Sequence, residues 1–221
     1  MGTMTLATER PLDAGGFGHQ HLVLDGISWA FYERLLDEIG DRPIRVTYSH
    51  GSLEIMPPLP EHEIAKKAIA QLIELLTLEL GIPRACFGST TFRREDKGGG
   101  LEPDECYYFD NAPRVRGMKR FDPAVHPAPD LGIEIDITQR SIPRDPIYAD
   151  LGVRELWRFD GEKLTVLHLL GGRYHPAHAS MALPFLPMAE FEKFVHRMLG
   201  DEDETKVLRE FQAWVRLLRP E

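Results

Sequence analysis

Two short segments place carboxylates where acids are uncommon, at the start and in the middle of predicted strands. In Glu102-Pro103-Asp104, the proline restricts the backbone and holds Glu102 extended, so Asp104 should project from a defined place where a strand begins. The second segment is Ile133-Glu-Ile-Asp-Ile137. Because strand side chains alternate, Glu134 and Asp136 share one face and the isoleucines fill the other.

Two carboxylates on one strand face repel each other and resist burial unless a positive group joins them. A divalent cation is one such partner, because Mg²⁺ prefers oxygen ligands and often takes only one or two carboxylates together with waters. The alternative is that this face is open to solvent on an edge strand. Glu63 is a third candidate acid, in the predicted first turn of a long helix. An acid is favourable there against the helix dipole whatever the function.

Signatures of several other chemistries are missing from the sequence. His62-Glu63 begins like a zinc-protease helix, but Lys66 stands where the second histidine would be needed. There is no Gly-x-Ser-x-Gly motif of a serine hydrolase. The two cysteines, Cys86 and Cys106, are too few for a disulfide framework and are not spaced as a zinc site.

The composition is that of a folded, acidic protein. The 221 residues are 43% hydrophobic and 28% charged, which predicts a single domain over residues 19–221 after a flexible, Gly-rich tail at 1–18. The net charge of −9 argues against a general basic coat for nucleic acid, so any such contact needs a local basic patch. No signal-peptide or membrane-spanning run is evident, which predicts a cytoplasmic protein with no membrane partner.

The predicted elements alternate between short strands and a few helices. The predicted strands cover residues 22–24, 45–49, 53–56, 85–92, 105–109, 131–137, 154–159, 164–170 and 173–179. The strands 45–49 and 53–56 flank His50-Gly-Ser52 and are predicted to form a hairpin. The predicted helices cover residues 28–39, with Ser28 as the N-cap, 61–80, 143–151, 188–199 and 204–218. Residues 93–100 read as a charged loop and 111–129 as an irregular, Pro-rich segment. This order predicts one α/β (α+β) domain built around a mixed sheet.

The order of the acids resembles the PD-(D/E)XK nuclease superfamily: an acid at a helix start, then Pro-Asp, then a strand bearing Glu-x-polar. More specifically, the chain resembles the Uma2 family of restriction-endonuclease-like proteins. The matching segments are Leu53-Glu-Ile-Met-Pro, His62-Glu63, Gly88-Ser-Thr-Thr, Glu102-Pro-Asp104, Pro129-Asp-Leu-Gly-Ile-Glu134-Ile-Asp-Ile-Thr138, Tyr148-Ala-Asp-Leu-Gly-Val-Arg-Glu155-Leu-Trp157 and Leu183-Pro-Phe-Leu-Pro187.

The resemblance implies a restriction-endonuclease-like core, a mixed sheet flanked by helices, and cleavage of DNA phosphodiesters with Mg²⁺ or Mn²⁺. It implies that Asp104 is the motif aspartate and Glu134 the strand acid, with Glu63 completing the metal site. Asp136, a further candidate catalytic acid, stands where the superfamily lysine would ordinarily lie.

Many family members carry that lysine on the following helix instead, four residues before the tyrosine that matches Tyr148. Here the position is Arg144, which can stabilise phosphate charge but cannot act as a base near neutral pH. Either the metal alone activates water, or the enzyme is slow, or it no longer cleaves. A DNA-binding or self-associating module of the same fold is therefore the alternative function, and a hydrolase of another phosphoester is a third.

Two surfaces remain as candidates for partners. The basic segment Arg114-Val-Arg-Gly-Met-Lys-Arg120, with Arg93, Arg94 and Lys97 nearby in sequence, is a candidate DNA contact or else a solvated loop. Apolar residues near the C-terminus predict a homodimer, unless the last helix packs on its own domain. These are the segment Leu183-Pro-Phe-Leu-Pro187 and Phe211, Trp214, Val215, Leu217 and Leu218.

Overall fold

The structure is a computed structural model that describes residues 21–88, 90–137 and 140–218. The predicted tail at residues 1–18 lies outside this range. The strands are β1 (Leu22–Leu24), β2 (Arg45–Ser49), β3 (Ser52–Met56), β4 (Ala85–Cys86), β5 (Phe92–Arg94), β6 (Gly99–Leu101), β7 (Glu105–Tyr108), β8 (Leu131–Ile135), β9 (Glu155–Phe159), β10 (Leu164–Leu170) and β11 (Arg173–Ala177). The α-helices are α1 (Trp29–Ile39), α2 (Pro60–Leu80), α3 (Asp145–Leu151), α4 (Met188–Leu199) and α5 (Glu204–Val215).

A six-stranded mixed sheet forms the centre of the domain, in the order β11-β10-β9-β8-β7-β4. β8 runs parallel to β9 and antiparallel to β7, so the acidic strand lies inside the sheet and not at its edge. The α/β class predicted from the order of elements is confirmed. The alternative of an exposed acidic strand on an edge is wrong.

Helices cover both faces of this sheet. On one face, Ile133 and Ile135 of β8 pack with α2, α4 and α5 in the larger hydrophobic core. On the other face, α3 packs through Ile147, Tyr148 and Leu151. Ile133 and Ile135 therefore fill one face as predicted, whereas Ile137 lies beyond the end of β8 and is 39% exposed. Glu134 points to the face that carries α3. Both Phe211 and Val215 of α5 are buried in the domain's own core, which removes them from any surface for dimerisation.

A second, five-stranded sheet was not expected. Its order is β1-β3-β2-β6-β5, antiparallel throughout, and it includes the predicted β2–β3 hairpin. Helix α1 packs against it, with the buried ring of Tyr32 stacked on that of Tyr48 at 4.8 Å. Ser28 caps this helix, as predicted, by accepting a hydrogen bond from the backbone N–H of Phe31.

The single strand predicted over residues 85–92 is wrong, because its two ends belong to different sheets. β4 pairs with β7 in the six-stranded sheet, and β5 pairs with β6 in the five-stranded one. The predicted loop at 93–100 is also wrong: it holds the end of β5, the 3₁₀ helix Glu95–Lys97 and the start of β6. Gly100 makes β6 possible at this place, because a Cβ there would lie 2.4 Å from the Tyr32 hydroxyl.

Smaller differences concern where helices begin and end. α3 begins at Asp145 with Pro146 in its first turn, two residues after the predicted start at Pro143, and α5 ends at Val215 instead of Leu218. The Pro-rich segment 111–129 is irregular as predicted except for the 3₁₀ helix Ala112–Val115. Within the described range, no helix is long and apolar enough to cross a membrane.

Candidate active site

Asp104 lies directly before β7 and is fully buried. β7 and β8 are antiparallel and Glu105 pairs with Ile133. One residue earlier on the first segment and one later on the second, Asp104 therefore lies beside Glu134. One oxygen of Asp104, Oδ1, accepts a hydrogen bond from Arg45. The other, Oδ2, accepts from the backbone N–H of Ile135 at 2.7 Å and from Nη2 of Arg140 at 3.1 Å.

Burial by itself raises the pKa of Asp104, but the charges of Arg45, Arg140 and Arg144, with the backbone hydrogen bond, hold that pKa below its ordinary value. The carboxylate is therefore ionised at neutral pH although it has no contact with solvent. This is the charge state that a metal ligand needs.

Glu134, in the interior strand β8, is only 3% exposed. Nη1 of Arg144 donates to both of its carboxylate oxygens, at 2.8 and 2.6 Å, and the Tyr148 hydroxyl donates to Oε1. Arg144 and Tyr148 thus meet Glu134 from one face of α3, in the arrangement that their spacing predicts. Nη2 of Arg140 lies 3.4 Å from Oε2 on the same carboxylate.

The carboxylates of Asp104 and Glu134 therefore converge on a single positively charged nitrogen, Nη2 of Arg140. Each of the two acids supplies one oxygen to that point. An oxygen-only donor set of this kind suits a hard divalent cation such as Mg²⁺, which can complete its coordination with water.

Glu63 joins the cluster through a shared arginine. It lies in the first turn of α2, where Nη2 of Arg45 is 2.8 Å from Oε1 and the Lys66 ammonium is 2.5 Å from Oε2. Burial raises its pKa, but Lys66 and Arg45 outweigh burial and hold the pKa below its ordinary value. Since Arg45 also binds Asp104, Glu63 is linked to the buried acids by a guanidinium and not by direct approach.

Asp136 is not brought into this cluster. It follows the last residue of β8, and its backbone N–H donates to the carbonyl oxygen of Phe159 at 2.7 Å. Its side chain is 40% exposed and lies 3.8 Å from Arg158. Within the described ranges, no set of three or more His, Cys, Asp or Glu side chains could hold a metal ion, so the candidate metal site has two carboxylates.

The second sheet contributes further residues to the cluster that were not predicted from the sequence. Arg45 and Thr47 alternate along β2, and Glu54 of β3 pairs with Thr47, so these polar side chains occupy one sheet face. The Thr47 hydroxyl accepts from Nη2 of Arg144 at 3.2 Å, and Glu54 accepts from the backbone N–H of Ser141 at 2.8 Å. Period-2 polar positions in a predicted hairpin were the available signal for this face.

Both terminal nitrogens of Arg144 are engaged, while its buried Nε has no hydrogen-bond partner among the described residues. Besides Glu134, its guanidinium donates to the Thr47 hydroxyl and to the backbone carbonyl of Glu102 at 3.1 Å. Burial lowers the pKa of Arg144, but Glu134, Tyr148 and Asp104 together outweigh burial, and the pKa lies above its ordinary value. The pKa of Tyr148 is raised far above its ordinary value by burial and by Glu134. Neither group can release a proton near neutral pH.

Two cavities flank the cluster. The basic cleft, about 790 Å³ in volume, reaches the Arg45–Glu63 pair. Its charged lining consists of Arg42, Arg45, Lys66, Arg93, Lys119, Arg120, Asp37, Asp41, Glu63 and Glu102. The second cavity, about 630 Å³, reaches Glu134, Arg140 and Arg144. It is lined by Glu134, Asp136, Ile137, Arg140, Ile142, Pro143, Arg144, Asp145 and Arg158.

Part of the predicted basic segment faces the basic cleft. Lys119 and Arg120 line it and are exposed, and neither forms an ion pair with any residue in the described part of the chain. Arg93 lines the cleft from β5, whereas Arg94 pairs with Asp96 at 2.7 Å. The cleft therefore collects positive charge from separate parts of the chain next to the buried acids.

One family model matches most of the chain. The model of the family described as "Uma2: Putative restriction endonuclease" matches residues 29–194. Among solved structures, the chain is similar to a "putative nuclease belonging to DUF820" from Anabaena variabilis, with 12% sequence identity and a TM-score of 0.41. That similarity covers 77% of this chain and 90% of the other. No curated protein matches the chain.

Proposed function

The chain belongs to the Uma2 family, and on that premise we propose that it is an endonuclease that hydrolyses DNA phosphodiester bonds with Mg²⁺ or Mn²⁺. The observation that carries the proposal is the convergence of Asp104 and Glu134, both buried and both within 3.4 Å of one cationic nitrogen. When bound between these acids, a divalent cation supplies the Lewis acidity that activates water and neutralises charge on the phosphate.

The remaining residues divide between positioning and substrate binding. Arg144 has both terminal nitrogens engaged by Glu134, Thr47 and Glu102, which leaves little capacity for a phosphate. We therefore propose that Arg144 positions Glu134. The contact with phosphate that its alignment with the family lysine suggests is not assigned to it. Glu63, partly exposed at the edge of the basic cleft, is placed to accept a hydrogen bond from water or substrate.

DNA would bind along the basic cleft. Lys119 and Arg120 offer exposed charges, and Arg93 of β5 adds a half-buried one whose guanidinium lies 3.9 Å from Glu33. Phosphate neutralisation by Lys and Arg dominates non-specific affinity for DNA and makes it dependent on salt. A local patch of this kind is compatible with the net charge of −9, because the field at close range is set by the nearest charges.

One observation favours a second candidate, a nuclease fold that binds DNA without cutting it. Arg45, Arg140 and Arg144 already compensate the charges of Asp104 and Glu134, so these acids are stable in the fold without a metal. In this candidate the cluster is purely structural. The basic cleft would still bind DNA.

A plasmid-nicking assay with and without Mn²⁺ distinguishes the two candidates. The parent protein should nick supercoiled plasmid only with the metal, and Asp104→Asn and Glu134→Gln should abolish nicking. Glu190→Gln, which alters an exposed acid on α4, should nick like the parent. A parent that binds DNA but never nicks supports the second candidate, and nicking that persists in both acid variants contradicts the assigned site.

A further inference from the structure

Arg140 is held in the cluster by an incomplete set of contacts. Among the described residues, only its Nη2 makes contacts, to Asp104 at 3.1 Å, to Glu134 at 3.4 Å and to the backbone carbonyl of Ile135 at 3.1 Å. Its Nε is buried and has no hydrogen-bond partner among the described residues. A buried donor without a partner costs free energy, so this position is less favourable for the side chain than its two ion pairs suggest.

The other two arginines are anchored differently. Arg45 projects from the middle of a sheet and divides its terminal nitrogens between Asp104 and Glu63. Arg144 has the same kind of buried Nε without a partner among the described residues, but both of its terminal nitrogens are held, by Glu134, Thr47 and the carbonyl of Glu102. Arg140 lies between β8 and α3, outside regular secondary structure, and its side chain lines the second cavity. It is therefore the arginine that can leave the acids with the least rearrangement.

We infer that Arg140 is the resident counter-cation of the metal site, which a divalent cation displaces into the second cavity. This inference rests on the proposed metal site at Asp104 and Glu134. Nη2 of Arg140 lies where oxygens of both acids converge, so the guanidinium and the metal compete for the same charge. Once displaced, the guanidinium stands in an open cavity beside the acids, where it can bind a phosphodiester oxygen.

Competition of this kind couples metal binding to DNA binding. Both the metal and a phosphodiester favour the state in which Arg140 has left the acids, so each ligand raises the affinity for the other. If the competent state is populated about one-tenth of the time, the metal binds about tenfold more weakly than to the free acids. DNA that captures Arg140 would restore most of that loss.

The test is a titration of the protein with Mn²⁺, with and without a short phosphorothioate DNA duplex. Binding is monitored by the electron paramagnetic resonance signal of the Mn²⁺ that remains free. Arg140→Gln should bind Mn²⁺ about tenfold more tightly than the parent without DNA, and DNA should no longer tighten it. In the parent, DNA should tighten Mn²⁺ binding about tenfold. Arg140→Lys keeps a cation at this position and should remain close to the parent, which also shows that the position tolerates substitution.

Arg158→Gln is the matched control, because it removes the same charge from the same cavity but from a side chain that pairs with Asp145 and not with Asp104 or Glu134. Equal tightening in Arg140→Gln and Arg158→Gln would overturn the inference, because the effect would then be general electrostatics. Weaker binding in Arg140→Gln would also overturn it. If none of the proteins binds Mn²⁺, the proposed metal site fails together with the inference. Coupled binding without nicking would leave the inference standing and refute only the proposed activity.

Discussion

Replacing Arg144 with methionine leaves Glu134, only 3% exposed, without its nearest cation. Removing one partner of a buried ion pair costs about 3–5 kcal/mol, because the remaining charge stays buried without compensation. The Tyr148 hydroxyl and Arg140 still contact Glu134, so we expect the free energy of unfolding to fall by about 3 kcal/mol. For a chain of this length, that loss lowers the melting temperature by roughly 6–12 °C.

Urea unfolding followed by circular dichroism measures the loss, and a double-mutant cycle assigns it to the pair. Combining Arg144→Met with Glu134→Gln should recover about 2 kcal/mol relative to the sum of the single variants, because the second change removes the stranded charge. Arg158→Ala, which breaks a partly exposed pair with Asp145, is the control and should cost less than about 1 kcal/mol. The reasoning would be refuted if the stability losses of the two single variants were simply additive in the double variant. It would also be refuted if Arg144→Met lost no more stability than Arg158→Ala.

Three further predictions concern acid stability, packing and assembly. The pKa values of Asp104 and Glu63 lie below their ordinary values of 3.8 and 4.5 because neighbouring cations outweigh burial. Their contribution to stability is therefore present above those values and is lost as the pH falls through the lowered pKa values. Urea unfolding measured from about pH 6 to about pH 3 should show the free energy of unfolding decline, and the decline should be smaller in Glu63→Gln. Gly132→Ala should cost about 1–3 kcal/mol, because its Cβ would lie 2.7 Å from Leu156, and a melting curve unchanged from the parent would contradict that packing. A homodimer stays a prediction, with Leu217 as its most exposed apolar residue at 83%, and sedimentation showing only monomer at micromolar concentration would reject it.

Much of the fold could be predicted because it depends on local patterns. The alternation in residues 131–137 placed the isoleucines of β8 in the core and Glu134 on the opposite face, and the structure has that arrangement. Helix α2 and the β2–β3 hairpin follow from apolar periodicity bounded by Pro and Gly. The segment 85–94 could not be predicted, because only long-range pairing assigns its two ends to different sheets.

The sequence by itself determined which acids are unusual, since Asp104 beside a proline and Glu134 in an apolar strand are visible without any structure. It did not determine their partners. Arg45 comes from another sheet and Arg140 from a loop, and no local pattern distinguishes either from a surface arginine. Only the tertiary structure decided that these cations meet buried carboxylates, because the cost of burying a charge is balanced by whichever opposite charge the fold brings close.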